Sequence, residues 1–264
     1  MTKVSCVIVN YNTKYFPRMC LEHLEKSKCG FDFEIIFVDN ASHDESLEFL
    51  EKAYKDGKIK LIKSNKNLGF GGGNNLGAKN AEGKYILIMN PDIFVEPDTL
   101  QKMVDYMEKH QDTGVLGPKL IYYNGTVQDS CRRHMNYLTL IAKRTFLKKI
   151  PPFKGMYEKY VMNDADYTQT REVDLLVGAC FMIPRKVYEQ VGGFDERYFL
   201  FMEDFDLCRE IHKKGHKIVY FPETQVLHYH KRLSQGSVLR LLTKKVFWIH
   251  NHSALKYFWK WRKG

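Results

Sequence analysis

Residues 67–92, "NLGFGGGNNLGAKNAEGKYILIMNPD", set a glycine- and asparagine-rich run ahead of an apolar stretch that ends in Asn90-Pro91-Asp92. Glycine runs beside strands often cradle phosphates, and two such patterns can be tested. A dinucleotide-binding fingerprint needs glycines at i, i+2 and i+5, after a strand and opening a helix. Counted from Gly69 or Gly71, the last position is Asn74 or Leu76, so the fingerprint fails. A P-loop needs Lys directly after its second conserved glycine. Gly72 and Gly77 have the P-loop spacing, but Ala78 stands where Lys is required. The run is therefore read as a loop whose missing side chains let backbone approach a ligand, with a short helix over 74–83 beyond it.

Outward from this stretch the chain alternates strands and helices. "KVSCVIVNY" and "FEIIFVDNAS" are short β-branched apolar runs that predict buried strands, and "IKLIKSN" and "YILIMN" continue the series. "MCLEHLEKS" has helical spacing, and "DESLEFLEKAYKDG" reads as an amphipathic helix with acids at its start and Gly57 at its end. Such alternation predicts an α/β fold with a mainly parallel central sheet flanked by helices. Polar clusters recur where the strands end: Asn10 and Asn12, Asp39 and Asn40, Asn67, Asn90 and Asp92. In open α/β sheets ligands bind at that edge. Later, "VDLLVGACFMIPRKVYEQVGGFDERYFLFMEDFDLCREIHKKG" predicts a strand, a helix, a turn at Gly192-Gly193 and a second helix from about Glu203. "HKIVYFPETQVLHYH" predicts a late strand entering a His-bearing loop. Residues 124–174 form a basic, aromatic, weakly periodic segment.

The 264 residues are 44% hydrophobic, enough for one large domain, and the net charge is +10. That balance favours anionic partners such as phosphorylated substrates, nucleic acid or an anionic membrane surface. The six cysteines show no paired spacing and several sit inside apolar runs, so they read as small buried residues of a reducing compartment. The chain enters a strand at once and no apolar run approaches membrane-spanning length, so a cytoplasmic, soluble or peripherally attached protein is expected.

Taken singly, the candidate residues have plain structural roles. Asp39-Asn40 and Asn90-Pro91-Asp92 are turn chemistry, Glu203 and Asp204 suit a helix N-terminus, and His228 suits a solvated loop. Their joint placement at strand ends and helix starts argues for a shared site. The order of the stretches "VSCVIVNYN", "FEIIFVDNASHDES", "NKNLGFGGGNNLGAKNAEGKYILIMNPDI", "VGACFMIPRKVYEQVGGFDERYFLFMEDFDLCREIHKKGHKIVYFP" and "VLHYHKRLS" resembles the family 2 glycosyltransferases of the GT-A fold. Within that family the chain is most similar to the bacterial rhamnosyltransferase-like members. The stretches cover most of residues 4–234, in the family's order.

The resemblance implies roles. Val9, Tyr11, Asn12, Asp39 and Asn40 would hold the base and ribose of a nucleotide-sugar donor. Asn67, Gly69, Asn74 and Asn90 would line the nucleotide further along. A carboxylate at Asp39 can accept N3–H of uracil or thymine, or N1–H of guanine, so it does not fix the base. The family's Asp-x-Asp metal motif is here Asn90-Pro91-Asp92. Asp92 with His228 would hold a divalent cation, Mn²⁺ or Mg²⁺, together with donor phosphates. Glu203 and Asp204 match the family's paired acids, with Asp204 as the general base. Lys231 and Arg232 would face the diphosphate, and Gly178 would lie against diphosphate or acceptor. Direct displacement with a single base implies inversion at the anomeric carbon. The implied donor is dTDP-L-rhamnose, with UDP-hexoses next, and the implied acceptor a lipid-diphosphate-linked saccharide in cell-surface polysaccharide assembly.

Two rivals explain less. A nucleic-acid-binding protein would account for the charge but not for the strand-end acids and amides, so no nucleic-acid partner is expected. A nucleotidyltransferase shares the nucleotide-binding plan but not the late Glu-Asp and His stretches. The expected organisation is a catalytic domain over 1–234, with a nucleotide-sugar half (1–118) and an acceptor half (119–234), then a basic aromatic helical tail over 235–264. In the tail, Leu242, Val246 and Ile249 share a face expected to pack on the domain. Leu255, Phe258 and Trp259 share another, interleaved with basic residues as in helices that lie at a membrane interface.

Overall fold

Val4–Asn10 forms β1, and only Val9 along it keeps appreciable exposure. Its parallel neighbours are β2 (Phe33–Asp39) and β4 (Tyr85–Met89). Strands covered on both faces need such continuous apolar runs, which is why their sequences do not alternate. The computed structural model of the chain describes residues 2–163, 165–229 and 245–262. In the first half, β3 (Lys60–Lys63) adds in parallel to β2, and α1 (Phe16–Glu25), α2 (Glu45–Lys55) and α3 (Gly69–Ala78) make the crossovers. Helix α2 begins where Asp44 accepts the Ser46 amide, carries Glu45 and Glu48 in its first turn, and is followed by Gly57 at φ 73°.

The sheet runs on through the second half in the order β3-β2-β1-β4, then Cys180–Pro184 (β10), Thr113–Ile121 (β6), Lys217–His228 (β11) and Ile93–Val95 (β5). Strands β5 (Ile93–Val95) and β6 (Thr113–Ile121) flank α4 (Thr99–Lys109). Strand β10 (Cys180–Pro184) lies antiparallel to β4 and β6, whereas β11 (Lys217–His228) is parallel to β6 and antiparallel to β5. The expected parallel plan thus holds for β3 to β4 and for β6 with β11. The weakly periodic segment contains β7 (Cys131–Arg132), α5 (Tyr137–Arg144), α6 (Phe153–Val161) and β8 (Arg171–Glu172), and β9 (Leu175–Leu176) follows it. Beyond β10, α7 (Arg185–Val191) leads to α8 (Glu203–Lys213).

The glycine run departs from the expected loop: α3 passes through it. A side chain at Gly77 would place Cβ 2.4 Å from Val7 Cγ1, and one at Gly73 would sit 2.8 Å from Val9 Cγ1. The glycines let this helix lie directly on β1. Each costs about 1 kcal/mol of helix propensity relative to Ala, which the close packing offsets. Gly69, at φ 76°, is different: its Cβ would be 2.1 Å from the Phe199 carbonyl oxygen, which accepts the Phe70 N–H.

The last helix, α9 (Lys245–Lys260), packs through Ser253, Ala254 and Tyr257. Ser253 Oγ donates to Leu200 O at 2.9 Å, and Lys260 Nζ reaches Asp206 and Glu210 on α8 at 2.7 and 2.9 Å. The expected division of the tail is corrected here. Tyr257, Lys260 and Trp261 of the expected interface stretch turn inward, while Leu255 and Trp259 stay exposed. Leu242 lies outside the described residues. Among the described residues no helix is long and apolar enough to cross a membrane.

Candidate active site

The C-terminal ends of β1 and β2 form a polar floor. Buried Asn10 donates from Nδ2 to Asp39 Oδ1 at 2.8 Å, with Ser42 Oγ and Ser46 Oγ within 3.0 Å of the same nitrogen. The other Asp39 oxygen accepts the Ser42 amide at 3.0 Å. Asp39 is thereby fixed in orientation, and each oxygen keeps a second lone pair. Above this floor Val9 is half-buried, and Tyr11 and Asn12 are exposed. Asn12 adopts φ 52°, and its Oδ1 accepts the His43 amide. Asn40 is buried, and its amide donates to Gly69 O at 2.9 Å. Asn10 anchors the whole floor, a role its place in the strand-end cluster did not disclose.

Asn67 caps the start of α3, its Oδ1 accepting the Gly69 amide at 2.8 Å. Asn74 is fully buried and donates to Phe70 O at 3.0 Å. A side chain with no exposed surface meets no ligand, so the expected contact from Asn74 does not fit this packing. The reason is that α3 begins five residues earlier than expected, which turns Asn74 into the helix–sheet interface.

After β4, Asn90 donates its backbone N–H to Ala179 O, and Asp92 O accepts the Tyr229 amide, both at 2.9 Å. This ties the Asn90–Asp92 turn to the end of β11. Asp92 Oδ1 and His228 Nε2 consequently face each other at 3.6 Å. Gln128 holds the imidazole from behind: its Nε2 donates to His228 O at 3.0 Å, and its Oε1 lies 2.8 Å from Nδ1. A carbonyl only accepts, so the amide oxygen must face Nδ1, which then carries the proton. In the neutral ring Nε2 then presents its lone pair toward Asp92. Two ligands of one Mg²⁺ ion at about 2.1 Å lie at most about 4.2 Å apart, so the pair fits one divalent cation. Burial pushes the Asp92 carboxyl up to about 6, and such a desolvated carboxylate gains from a cation. Among the described residues no third acid, His or Cys joins them, so further ligands would come from donor oxygens.

Opposite, α8 begins directly at Glu203, after Phe201 and Met202 at φ 68° and 74°. Two consecutive non-glycine residues in that region cost roughly 1–3 kcal/mol each and mark a constrained entry into the helix. Asp204 Oδ2 accepts the Gly178 amide and Oδ1 the Phe205 amide, each at 2.9 Å. A Cβ at Gly178 would stand 2.9 Å from Asp204 Cβ, so this approach requires glycine. Glu203 is 4% exposed, and its Oε2 has no hydrogen-bond partner among the described residues. Burial drives Glu203 well above the usual carboxylate range, and Asp204 adds to it. Asp204 is raised by burial too, but the Gly178 and Phe205 amides and the Lys143 charge oppose the rise. Glu203 is thus the proton holder, and partly exposed Asp204 is the carboxylate able to take a proton from a substrate.

Lys143 was not legible as a site residue: only its place in the basic segment was visible. Lys231 and Arg232 lie outside the described residues.

The family model for glycosyl transferase family 2 matches residues 5–192. The chain belongs to that family. Across 213 residues this glycosyltransferase is 30% identical to the N-acetylglucosaminyl-diphospho-decaprenol L-rhamnosyltransferase of Mycobacterium tuberculosis, covering 76% of this chain and 68% of the relative. Among solved structures it is similar to TarS residues 1–349 of S. aureus in complex with UDP-GlcNAc, with TM-score 0.62, 19% identity, and 97% and 67% of the two chains covered. It is also similar to the mannosyltransferase PcManGT of Pyrobaculum calidifontis in complex with GDP-Man and Mn²⁺, with TM-score 0.61, 15% identity, and 88% and 58% covered. At these identities the structural matches bear on fold, which is GT-A. In this family 2 glycosyltransferase the strand ends of the first half share one sheet edge with Gly178, the start of α8 and His228 of the second.

Proposed function

We propose that this glycosyltransferase moves L-rhamnose from dTDP-L-rhamnose onto a saccharide carried on a lipid diphosphate, with inversion at the anomeric carbon, in cell-surface polysaccharide assembly. The observation that carries the mechanism is Asp204, partly exposed and oriented by two backbone amides. Rhamnose and the lipid-linked acceptor follow from similarity to the mycobacterial enzyme.

In this reading the nucleoside lies over Val9, Tyr11 and Asn12, with Asp39 and Asn40 beneath, and Asn67, Gly69 and Asn90 bordering the diphosphate. Asp204 takes the proton of the acceptor hydroxyl as that oxygen attacks the anomeric carbon and the bond to the nucleoside diphosphate breaks. Glu203 stays protonated and keeps a second negative charge away from the base. Asp92 and His228 would hold Mn²⁺ or Mg²⁺, which supplies charge neutralisation for the departing diphosphate. Lys231 and Arg232 would add positive charge there, and Lys143 would meet an anionic acceptor beside Asp204. Residues 1–118 serve the donor, 119–234 the acceptor, and the protein works on the cytoplasmic face of the membrane.

Thymine and uracil present the same N3–H to Asp39, so a UDP-hexose donor is the second reading. The test is thermal stabilisation by a panel of nucleotide sugars with and without Mn²⁺, followed by transfer to a diphosphate-linked N-acetylglucosamine lipid. Stabilisation and transfer with dTDP-L-rhamnose support the proposal. Turnover of UDP-sugars alone overturns the donor assignment.

A further inference from the structure

Two neighbouring elements expose apolar side chains among basic ones. On α5 and the turn after it, Leu138, Ile141, Phe146 and Ile150 are exposed, Phe146 by 71%. On α9, Trp248, Leu255 and Trp259 are exposed, Trp259 by 70%. Their spacing of seven and four residues puts these three on one side of the helix, opposite Ser253, Ala254 and Tyr257. The two helices adjoin at Tyr137 and Phe258, whose rings meet edge-to-face at 5.5 Å. Both segments are basic in sequence, and Lys260 of α9 is paired with Asp206 and Glu210 of α8. Residues 131–160 hold eight Lys or Arg against one acid, Glu158, and residues 245–262 hold four with no acid. Beside Phe146, Lys148, Lys149 and Lys154 line a cleft of about 330 Å³ with Tyr157, Glu158 and Asn163.

Core packing leaves these side chains outside, and exposed aromatic and aliphatic groups are unfavourable in water unless something covers them. Rings and branched chains set among Lys and Arg match the chemistry of an anionic bilayer surface, with apolar groups entering the acyl boundary and cations meeting headgroup phosphates. We propose that α5 with its following turn, together with the outer face of α9, is a single docking surface for an anionic membrane, the three-lysine cleft taking a phospholipid headgroup. The surface would serve the enzyme whichever sugar it transfers. Lys143 links the surface to the candidate active site, because it sits on α5 and its charge acts on Asp204.

The chain provides its own reporter. All three tryptophans, Trp248, Trp259 and Trp261, lie in or next to α9. The experiment mixes the full chain with extruded vesicles of phosphatidylcholine alone or with phosphatidylglycerol, at low and high salt. Cosedimentation and a blue-shifted tryptophan emission, quenched by brominated lipid, are expected with the anionic vesicles only and are lost at high salt. Two variants, Leu255→Ser with Trp259→Ser and Ile141→Ser with Phe146→Ser, change exposed side chains and should keep the wild-type melting temperature. Each removes two apolar anchors and should weaken vesicle binding by roughly tenfold or more. Absence of pelleting with anionic vesicles overturns the proposal. So does undiminished binding in either variant, or self-association that shields the same tryptophans in the absence of lipid.

Discussion

Lys260 Nζ lies 2.7 Å from Asp206 Oδ2, joining the C-terminal helix to the helix that begins with Glu203 and Asp204. Asp206 is buried, and its other oxygen accepts the Trp261 indole N–H at 2.8 Å. Burial raises the Asp206 carboxyl, and Lys260 opposes that rise. Removing the cation leaves a buried carboxylate uncompensated, which typically costs about 3–5 kcal/mol. Lys260→Met should therefore lower stability by about 3 kcal/mol at neutral pH. The deficit should shrink as pH falls and Asp206 takes up a proton. Urea unfolding at two pH values measures both effects, and an equal deficit at both would remove Asp206 from the account.

Asp204→Asn should reduce turnover by about 10²- to 10⁴-fold while nucleotide binding is preserved, since the amide accepts no proton. Glu203→Gln should retain most transfer, because burial favours the protonated form of Glu203 in the folded protein. Steady-state kinetics on the two variants decides between the neighbouring acids. The reverse pattern would make Glu203 the base.

The same proton gives stability a pH dependence. The folded pKa of Glu203 is raised by burial, so its protonated form is preferred in the native state. Its contribution is fully present below the unfolded pKa of about 4.3 and is lost as pH rises through the folded value. Glu203→Gln removes that loss. The variant should gain stability relative to wild type as pH increases, and parallel curves from acid to neutral pH would show that Glu203 is ionised when folded.

Gln128 sets the tautomer of His228 through two contacts. Loss of such an outer contact typically weakens metal binding about 10- to 100-fold. Gln128→Ala should do so for Mn²⁺ in the presence of nucleoside diphosphate, and Asp92→Ala more severely. Electron paramagnetic titration of free Mn²⁺ reads the effect without reference to turnover. Unchanged Mn²⁺ binding in Asp92→Ala would remove the ion from this pair.

Two glycines in helices should respond in opposite directions. A methyl group at Gly155 in α6 would meet nothing within 4 Å, so Gly155→Ala should stabilise by about 0.5–1 kcal/mol. Gly77→Ala would drive a methyl to 2.4 Å from Val7 Cγ1 and should destabilise by about 1–3 kcal/mol. Thermal melts of the two variants are sufficient.

The strands with unbroken apolar runs were legible from sequence, as were α2 through its capping acids and α8 through its acidic start. Helix α3 was legible only in its second half, within the helix expected over 74–83; its glycine-rich start was missed because glycine has poor local helix propensity and the reason for the glycines is Val7 and Val9, far upstream in the chain. The site divides similarly. Asp92, His228, Glu203 and Asp204 could be picked out because their stretches resemble a family, and the structure brings them to one sheet edge. Gln128 could not, because a lone glutamine in a polar segment gives no sign that it clamps an imidazole a hundred residues later. Asn74 misled because the face a helical residue presents depends on where the helix starts. In the tail, periodicity found two faces but could not say which one the domain would claim.

Strand β10 hydrogen-bonds to β4 on one side and β6 on the other, so one uninterrupted ladder runs beneath both halves of the chain. A protein stitched in this way has no cleft that opens on a hinge. Swinging the halves apart would mean unzipping buried strand pairs. Substrate entry and product escape must then be handled by the segments that project above the sheet edge. The speed limit of this enzyme is expected to reside in loop rearrangement, with the sheet acting as an immobile bench.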